Sequence, residues 1–311
     1  MAKVLNVKEI RQLIPQRYPL LMLDRVSLES DTRAVAVKNV TANELFFQGH
    51  FPVQPVMPGV LQLETMKQLA ELLVVERLTP VKSQNIYMRK AEKVKFRNPV
   101  TPGDRMLVEA DLVSVETSEA VVKCRTSTKS GVTCEALITL AIRQKIMPNT
   151  MPELFGEYDK CADTLMDVNA IKKLIPHRYP FLLIDNIVKI ETGEENTLTA
   201  IKNLSVNEEI FKGCAEDYMV LPESILCEIM AQAGCVFVLS RPENAGKLGY
   251  FMTIDQAESF APVYPGDQLV CELHLPSGKA SRFGKGWGEM KVDGKTVFKI
   301  TLMFAIVDPE K

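Results

Sequence analysis

The chain has 311 residues, 46% of them hydrophobic and 24% charged, enough to bury two ordinary cores. Its formal net charge of −2 argues against a nucleic-acid partner or an anionic membrane surface. Seven cysteines without CxxC spacing or neighbouring histidines argue for reduced thiols, and against a disulfide framework or a metal site.

The opening, MAKVLNVKEIRQLIP, has no apolar leader core, and charges interrupt every apolar run short of a membrane span. A cytoplasmic location is the expectation. An amphipathic helix over Val7–Leu13 leads into a strand, LLMLDRV, and a second strand, RAVAVKNV. A loop rich in glycine, proline and aromatic residues then ends at Pro58. Proline suits a first helical turn, so VLQLETMKQLAELLVVE reads as a long apolar helix. Four β-prone runs follow: NIYMRKAEKVKF, MLVEADLVSVE, AVVKCRTSTK and TCEALITLAIR.

Residues 147–166, MPNTMPELFGEYDKCADTLM, match nothing before or after them and read as a linker. Beyond it the same order returns. Ile14-Pro15-Gln16-Arg17-Tyr18-Pro19-Leu20 aligns with Ile175-Pro176-His177-Arg178-Tyr179-Pro180-Phe181, and Pro99 to Asp104 with Pro262 to Asp267. After Pro222 comes a second apolar helix, ILCEIMAQAGCVFVLS. The period is too long for a solenoid unit, so one domain is duplicated: 1–146, the linker 147–166, then 167–311. A central helix wrapped by a long antiparallel sheet, twice, makes an α+β fold.

The segments RYPLLMLDRV, KNVTANELFFQGHFPVQPVMPGVLQLE and KVKFRNPVTPGD, in that order, resemble the FabZ-type 3-hydroxyacyl-acyl carrier protein dehydratases. HRYPFLLID, KNLSVNEEIF, LPESILCEIMAQAG and APVYPGD resemble the same family. The resemblance implies two hot-dog domains paired as a pseudo-dimer, each site taking its histidine from one half and its glutamate from the other. It implies dehydration of (3R)-3-hydroxyacyl-acyl carrier protein to the trans-2-enoyl product in fatty acid biosynthesis. It also implies acyl carrier protein as partner, no cofactor, and a homo-trimer of double hot dogs.

Such an elimination needs a base for the C2 proton, an acid for the departing hydroxide, and a donor for the thioester carbonyl. By resemblance, His50 is the base, a helix glutamate the acid and the Gly59 N–H the donor. The glutamate is Glu64 or its counterpart Glu228. Lys67, three residues after Glu64, would favour the ionised form there, whereas Ala231, Ile225 and Ile229 around Glu228 would favour the protonated one. Gln232, grouped with Gly59 as substrate-binding, would orient the Glu228 carboxyl. His50 with Glu228 then makes one working site. Cys214 stands where the second histidine would be and Glu223 where the first half has Gly59, so Cys214 with Glu64 makes a dead one.

Other residues receive plainer expectations. Cys214 is a core or boundary thiol, and Tyr18, Tyr179 and Phe181 are packing residues. His177, at a helix end, is a surface or capping group, and His274 has no role. The run MRKAEKVKFRN carries Arg89, Lys93, Lys95 and Arg97, while its counterpart FMTIDQAESFA has no basic residue, so carrier docking is expected beside the half that kept its histidine. Two rival functions remain: a hot-dog acyl thioesterase, and a non-catalytic acyl or carrier-protein binder.

Overall fold

In a computed structural model of the chain, residues 2–154, 158, 163–193, 195–276 and 283–308 are described. Residues 155–157 and 159–162 of the expected linker lie outside them, as does Cys161; the six described cysteines are free. No helix among the described residues is long and apolar enough to cross a membrane.

Among the described residues, thirteen strands form one continuous sheet. The first half contributes β1 (Lys3–Leu5), β2 (Arg25–Ser30), β3 (Arg33–Asn39), β4 (Gln84–Phe96), β5 (Arg105–Val115), β6 (Glu119–Thr128) and β7 (Gly131–Gln144). The second contributes β8 (Asn186–Glu191), β9 (Glu195–Asn203), β10 (Leu248–Ser259), β11 (Gln268–Pro276), β12 (Phe283–Val292) and β13 (Lys295–Val307). The order is β1-β2-β3-β5-β6-β7-β4-β10-β13-β12-β11-β9-β8, so the same topology runs outward from the centre on each side. The junction is β4 against β10, antiparallel, with Ala91 opposite Ala257.

Short helices α1 (Val7–Leu13) and α3 (Val168–Leu174) open the two halves. The long helices are α2 (Gly59–Leu78) and α5 (Glu223–Leu239); α4 (Glu209–Lys212) is a single turn before α5. Pro58 and Pro222 hold the residue before each long helix extended, and proline's fixed φ leaves the chain ready to enter the helix. Both helices are buried nearly all round, pack on each other, and are wrapped by the sheet.

The expected strand LLMLDRV begins only at Arg25. Leu20, Met22 and Leu23 are buried but irregular, because Gln68 on α2 takes the place of a strand partner. Its amide donates to the Leu20 carbonyl at 2.7 Å, and its oxygen accepts from the Met22 N–H at 3.0 Å. Gln232 does the same in the other half, to Phe181 (2.9 Å) and Leu183 (2.9 Å).

The halves interlock through a reciprocal crossing. The Arg178 N–H donates to the Gly49 carbonyl at 3.0 Å, and the Arg17 N–H to the Gly213 carbonyl at 2.9 Å. A Cβ on Gly49 would collide with the Arg178 carbonyl oxygen, and one on Gly213 would lie 2.6 Å from Leu20 Cβ. That is why glycine stands in both copies while its neighbour differs. Gly49→Ala is expected to destabilise the fold by about 1–3 kcal/mol, since rigid backbone opposes the added methyl. Gly193→Ala, with no atom within 4 Å of its added Cβ, should change stability by under about 0.5 kcal/mol. Urea unfolding of the two variants checks the contrast.

Candidate functional site

His50 follows Gly49 directly, so the crossing carries it into the other half. There it meets His177 and Phe181, at ring-centroid distances of 5.3 Å and 5.6 Å. Glu228 points at the same place from α5. The nitrogen and oxygen donor atoms of His50, His177 and Glu228 all lie within 4.8 Å of one another. Two imidazoles and a carboxylate at that spacing are also a donor set able to close on a divalent cation such as zinc.

The geometry fixes the tautomer of His50. Its Nδ1 lies 2.7 Å from the Val56 carbonyl oxygen, which can only accept, so Nδ1 carries the proton and Nε2 keeps its lone pair. Burial is the main force lowering its pKa, from 6.5 to about 4; nearby Glu228 opposes this and His177 adds to it. The ring is therefore neutral at physiological pH, with its Nε2 lone pair able to accept a proton.

Glu228 departs from expectation. Burial alone would raise its pKa, and that is the largest single influence. His177 leads the influences opposing burial, Gln232 adds a hydrogen bond, and the carboxyl is held below the ordinary range and is ionised. His177 Nε2 lies 3.4 Å from Glu228 Oε1, and Gln232 Nε2 donates to that oxygen at 2.9 Å. Gln232 thus spends its amide on Glu228, Phe181 and Leu183, which makes it a positioning group rather than a substrate contact.

His177 is the residue the sequence reading misplaced. It is 7% exposed, neither a surface group nor a cap, and it faces His50 and Glu228. The missed signal was its counterpart: Gln16 occupies the equivalent position, so His177, like His50, is a histidine present in one copy only. Tyr18 and Tyr179 are not packing residues either, being 70% and 65% exposed, whereas Phe181 packs against His50. His274 stacks on Trp287 at 3.9 Å, away from this cluster.

Gly59 begins α2 behind Pro58, with no side-chain cap over the helix start. A Cβ there would meet the Phe96 ring at 2.8 Å, so glycine is needed for β4 to approach the helix. Among the described residues its N–H has no hydrogen-bond partner.

The mirrored position differs throughout. Cys214, its pKa pushed by burial to about 12, is inert and gives its thiol hydrogen to backbone carbonyls. Glu64 accepts from Gln68 at 2.9 Å and from Ser224 at 3.0 Å. Burial pushes its pKa up, and Lys67, which was expected to ionise it, is the largest of the opposing influences but does not prevail. Lys67 bonds Glu71 instead, at 2.6 Å. The anticipated protonation order of the two glutamates is therefore reversed.

Of the expected docking residues, Arg89 pairs with Glu119 (3.1 Å) and Arg97 with Glu135 (2.6 Å). Lys93 and Lys95 are exposed, on the strand that ends at Phe96 beside Gly59.

A comparison with known families matches the FabA-like domain at residues 14–134 and again at 175–301. The chain is 42% identical over 147 residues to the 3-hydroxyacyl-[acyl-carrier-protein] dehydratase FabZ of Bacillus licheniformis, covering 47% of this chain and 100% of that protein. It is 44% identical over 142 residues to the FabZ of Halalkalibacterium halodurans, covering 46% and 99%. Among solved structures, a trans-AT PKS dehydratase domain from Brevibacillus brevis aligns with a TM-score of 0.61 at 12% identity, over 95% of this chain and 100% of that one. The tesB protein MAP1729c of Mycobacterium avium subs paratuberculosis aligns at 0.54 and 10% identity, over 97% and 100%, and shares the fold alone.

The depressed pKa of His50 has a consequence for stability. The unfolded chain binds a proton there near pH 6.5 and the folded chain only near 4, so His50 lowers stability as pH falls through that window. Melting temperature measured against pH should fall less steeply between 6.5 and 4 for His50→Phe than for the wild type.

Proposed function

The chain belongs to the FabA-like domain family, in two tandem copies, and on that premise we propose that it dehydrates 3-hydroxyacyl-acyl carrier protein at one composite site, His50 from residues 1–146 and Glu228 from residues 167–311. The reading as a 3-hydroxyacyl-acyl carrier protein dehydratase of fatty acid biosynthesis rests on the FabZ relatives, two of which are aligned over essentially their whole length. The observation that carries the composite site is the neutral His50, with its Nε2 lone pair free, beside an ionised Glu228.

In the proposed cycle, His50 Nε2 takes the C2 proton of the thioester. The charge that gathers on the thioester carbonyl is met by the Gly59 N–H at the positive end of α2. Glu228, held by His177 and Gln232, accepts a hydrogen bond from the C3 hydroxyl and then steadies the imidazolium. That imidazolium returns its proton to the departing hydroxide, so the enoyl thioester and one water leave and the protein is unchanged. The acid is thus His50 in its protonated form, and Glu228 orients, because an ionised carboxylate has no proton to give. No step requires a cofactor. The carrier protein's acidic surface would meet Lys93 and Lys95, at the end of the strand beside Gly59.

Kinetics on a 3-hydroxyacyl-carrier thioester test the assignment. His50→Ala is expected to lose about 10²–10⁴-fold in kcat, and Glu228→Gln a similar factor. Glu64→Gln should keep most of the activity. A product absorbing as a conjugated enoyl thioester excludes the thioesterase reading; a free thiol with no enoyl product would support it. Added zinc should inhibit by occupying His50, His177 and Glu228, and chelation should leave the metal-free rate unchanged.

A further inference from the structure

The larger of the two described cavities, about 320 Å3, does not lie at His50 but at the mirrored position, against Cys214 and Glu64. Decay alone does not account for its lining. Where the other half has Ala231 and Cys235, this one has Lys67 and Glu71, buried and paired at 2.6 Å. Where the site at His50 has Gly59, this one has Glu223, also buried, paired with Arg143 from β7 at 2.9 Å. Two complementary ion pairs, each costly to desolvate, have entered at positions whose counterparts Ala231, Cys235 and Gly59 carry no charge. A charged wall of this kind does not suit an acyl chain.

Not all of the polar capacity is used. Gln16, 8% exposed, gives its Nε2 hydrogen to Glu71 at 3.3 Å, but its Oε1 is buried without a partner. Arg143 Nε is likewise buried and unpartnered. Lys67 has three donor hydrogens and, among the described residues, one bonded partner. One acceptor and several donors are therefore unused among the side chains that line this cavity. The charge favours an anion. Lys67 and Arg143 balance Glu71 and Glu223, Glu64 is pushed toward its neutral form by burial, and at the rim Arg11, Arg17 and Lys145 outnumber Asp217.

We propose that this second cavity is a binding site for a small carboxylate that also carries one hydrogen-bond donor, the class to which short 3-hydroxy acids belong. The carboxylate meets Lys67 and Arg143, and the hydroxyl donates to Gln16 Oε1. The site offers no free base to work on its ligand, since Cys214 holds its proton, Glu71 and Glu223 are paired with Lys67 and Arg143, and no histidine lines the cavity. It binds without turning over.

Calorimetric titration of the full chain with 3-hydroxybutyrate tests this. Saturable binding at one site per chain is expected. Butyrate, without the hydroxyl, and 3-hydroxybutyramide, without the charge, should each bind about tenfold more weakly or worse, as loss of one buried hydrogen bond or charge contact predicts. These comparisons use the unaltered protein, so folding of a variant does not decide them. The double variant Lys67→Ala with Glu71→Cys, which installs the residues of the other half, should abolish binding, while His50→Ala should preserve it. No saturable binding, equal affinity for butyrate, or loss of binding in His50→Ala would overturn the proposal. Because the titration measures no turnover, its outcome is separate from that of the dehydration assay.

Discussion

The backbone crossing at Gly49 and Arg178 is the constraint on which the candidate site depends. A glycine is required because the carbonyl of the other half occupies the space of its Cβ. The residue after it is thereby delivered beside α5 of that half, whatever that residue is. In the first copy it is His50 and in the second, at the Gly213–Leu20 crossing, it is Cys214. The fold thus fixes two locations and leaves their chemistry free to differ. The glycine serves the crossing, and the crossing places no demand on the identity of its neighbour, which differs between the copies.

The same separation runs through the rest of each cluster. Gln68 and Gln232 clamp the irregular segment at Leu20–Met22 and at Phe181–Leu183, a structural need in both halves, and both are present. His177 and Gln16 stand at one equivalent position, yet one faces Glu228 and the other Glu71. Gly59 and Glu223 begin the two long helices, one bare and the other tied to Arg143. Positions that hold the halves together agree between copies, whereas around the shared glutamates Glu64 and Glu228 the neighbouring positions differ. Divergence concentrated in this way is what a duplicated fold with one retained site would leave.

Much of this was legible in the chain itself. The duplication, the order of elements, the long helices after Pro58 and Pro222, and the pairing of His50 with Glu228 across halves follow from aligned motifs and their resemblance to one family. Three things depart from that pattern. The strand beginning at Leu20 failed because its apolar run is satisfied by a helix glutamine rather than by a ladder, a tertiary substitution that local pattern cannot reveal. The protonation order is not set by the nearest neighbour on each helix: Lys67 is taken by Glu71 one turn further along α2, and Glu228 is met by His177 from another segment. His177 itself was read as the end of a short helix, though the Gln16 comparison already marked it as asymmetric.

Drawing the site from both halves of a single chain is the central claim. Co-expression of a His50→Ala chain with a Glu228→Gln chain, followed by assay of the mixed protein, tests it most directly. The account predicts that the mixture stays as inactive as either variant, because each chain lacks one half of its own site. Recovery of substantial activity would contradict it, showing that the histidine of one chain meets the glutamate of another.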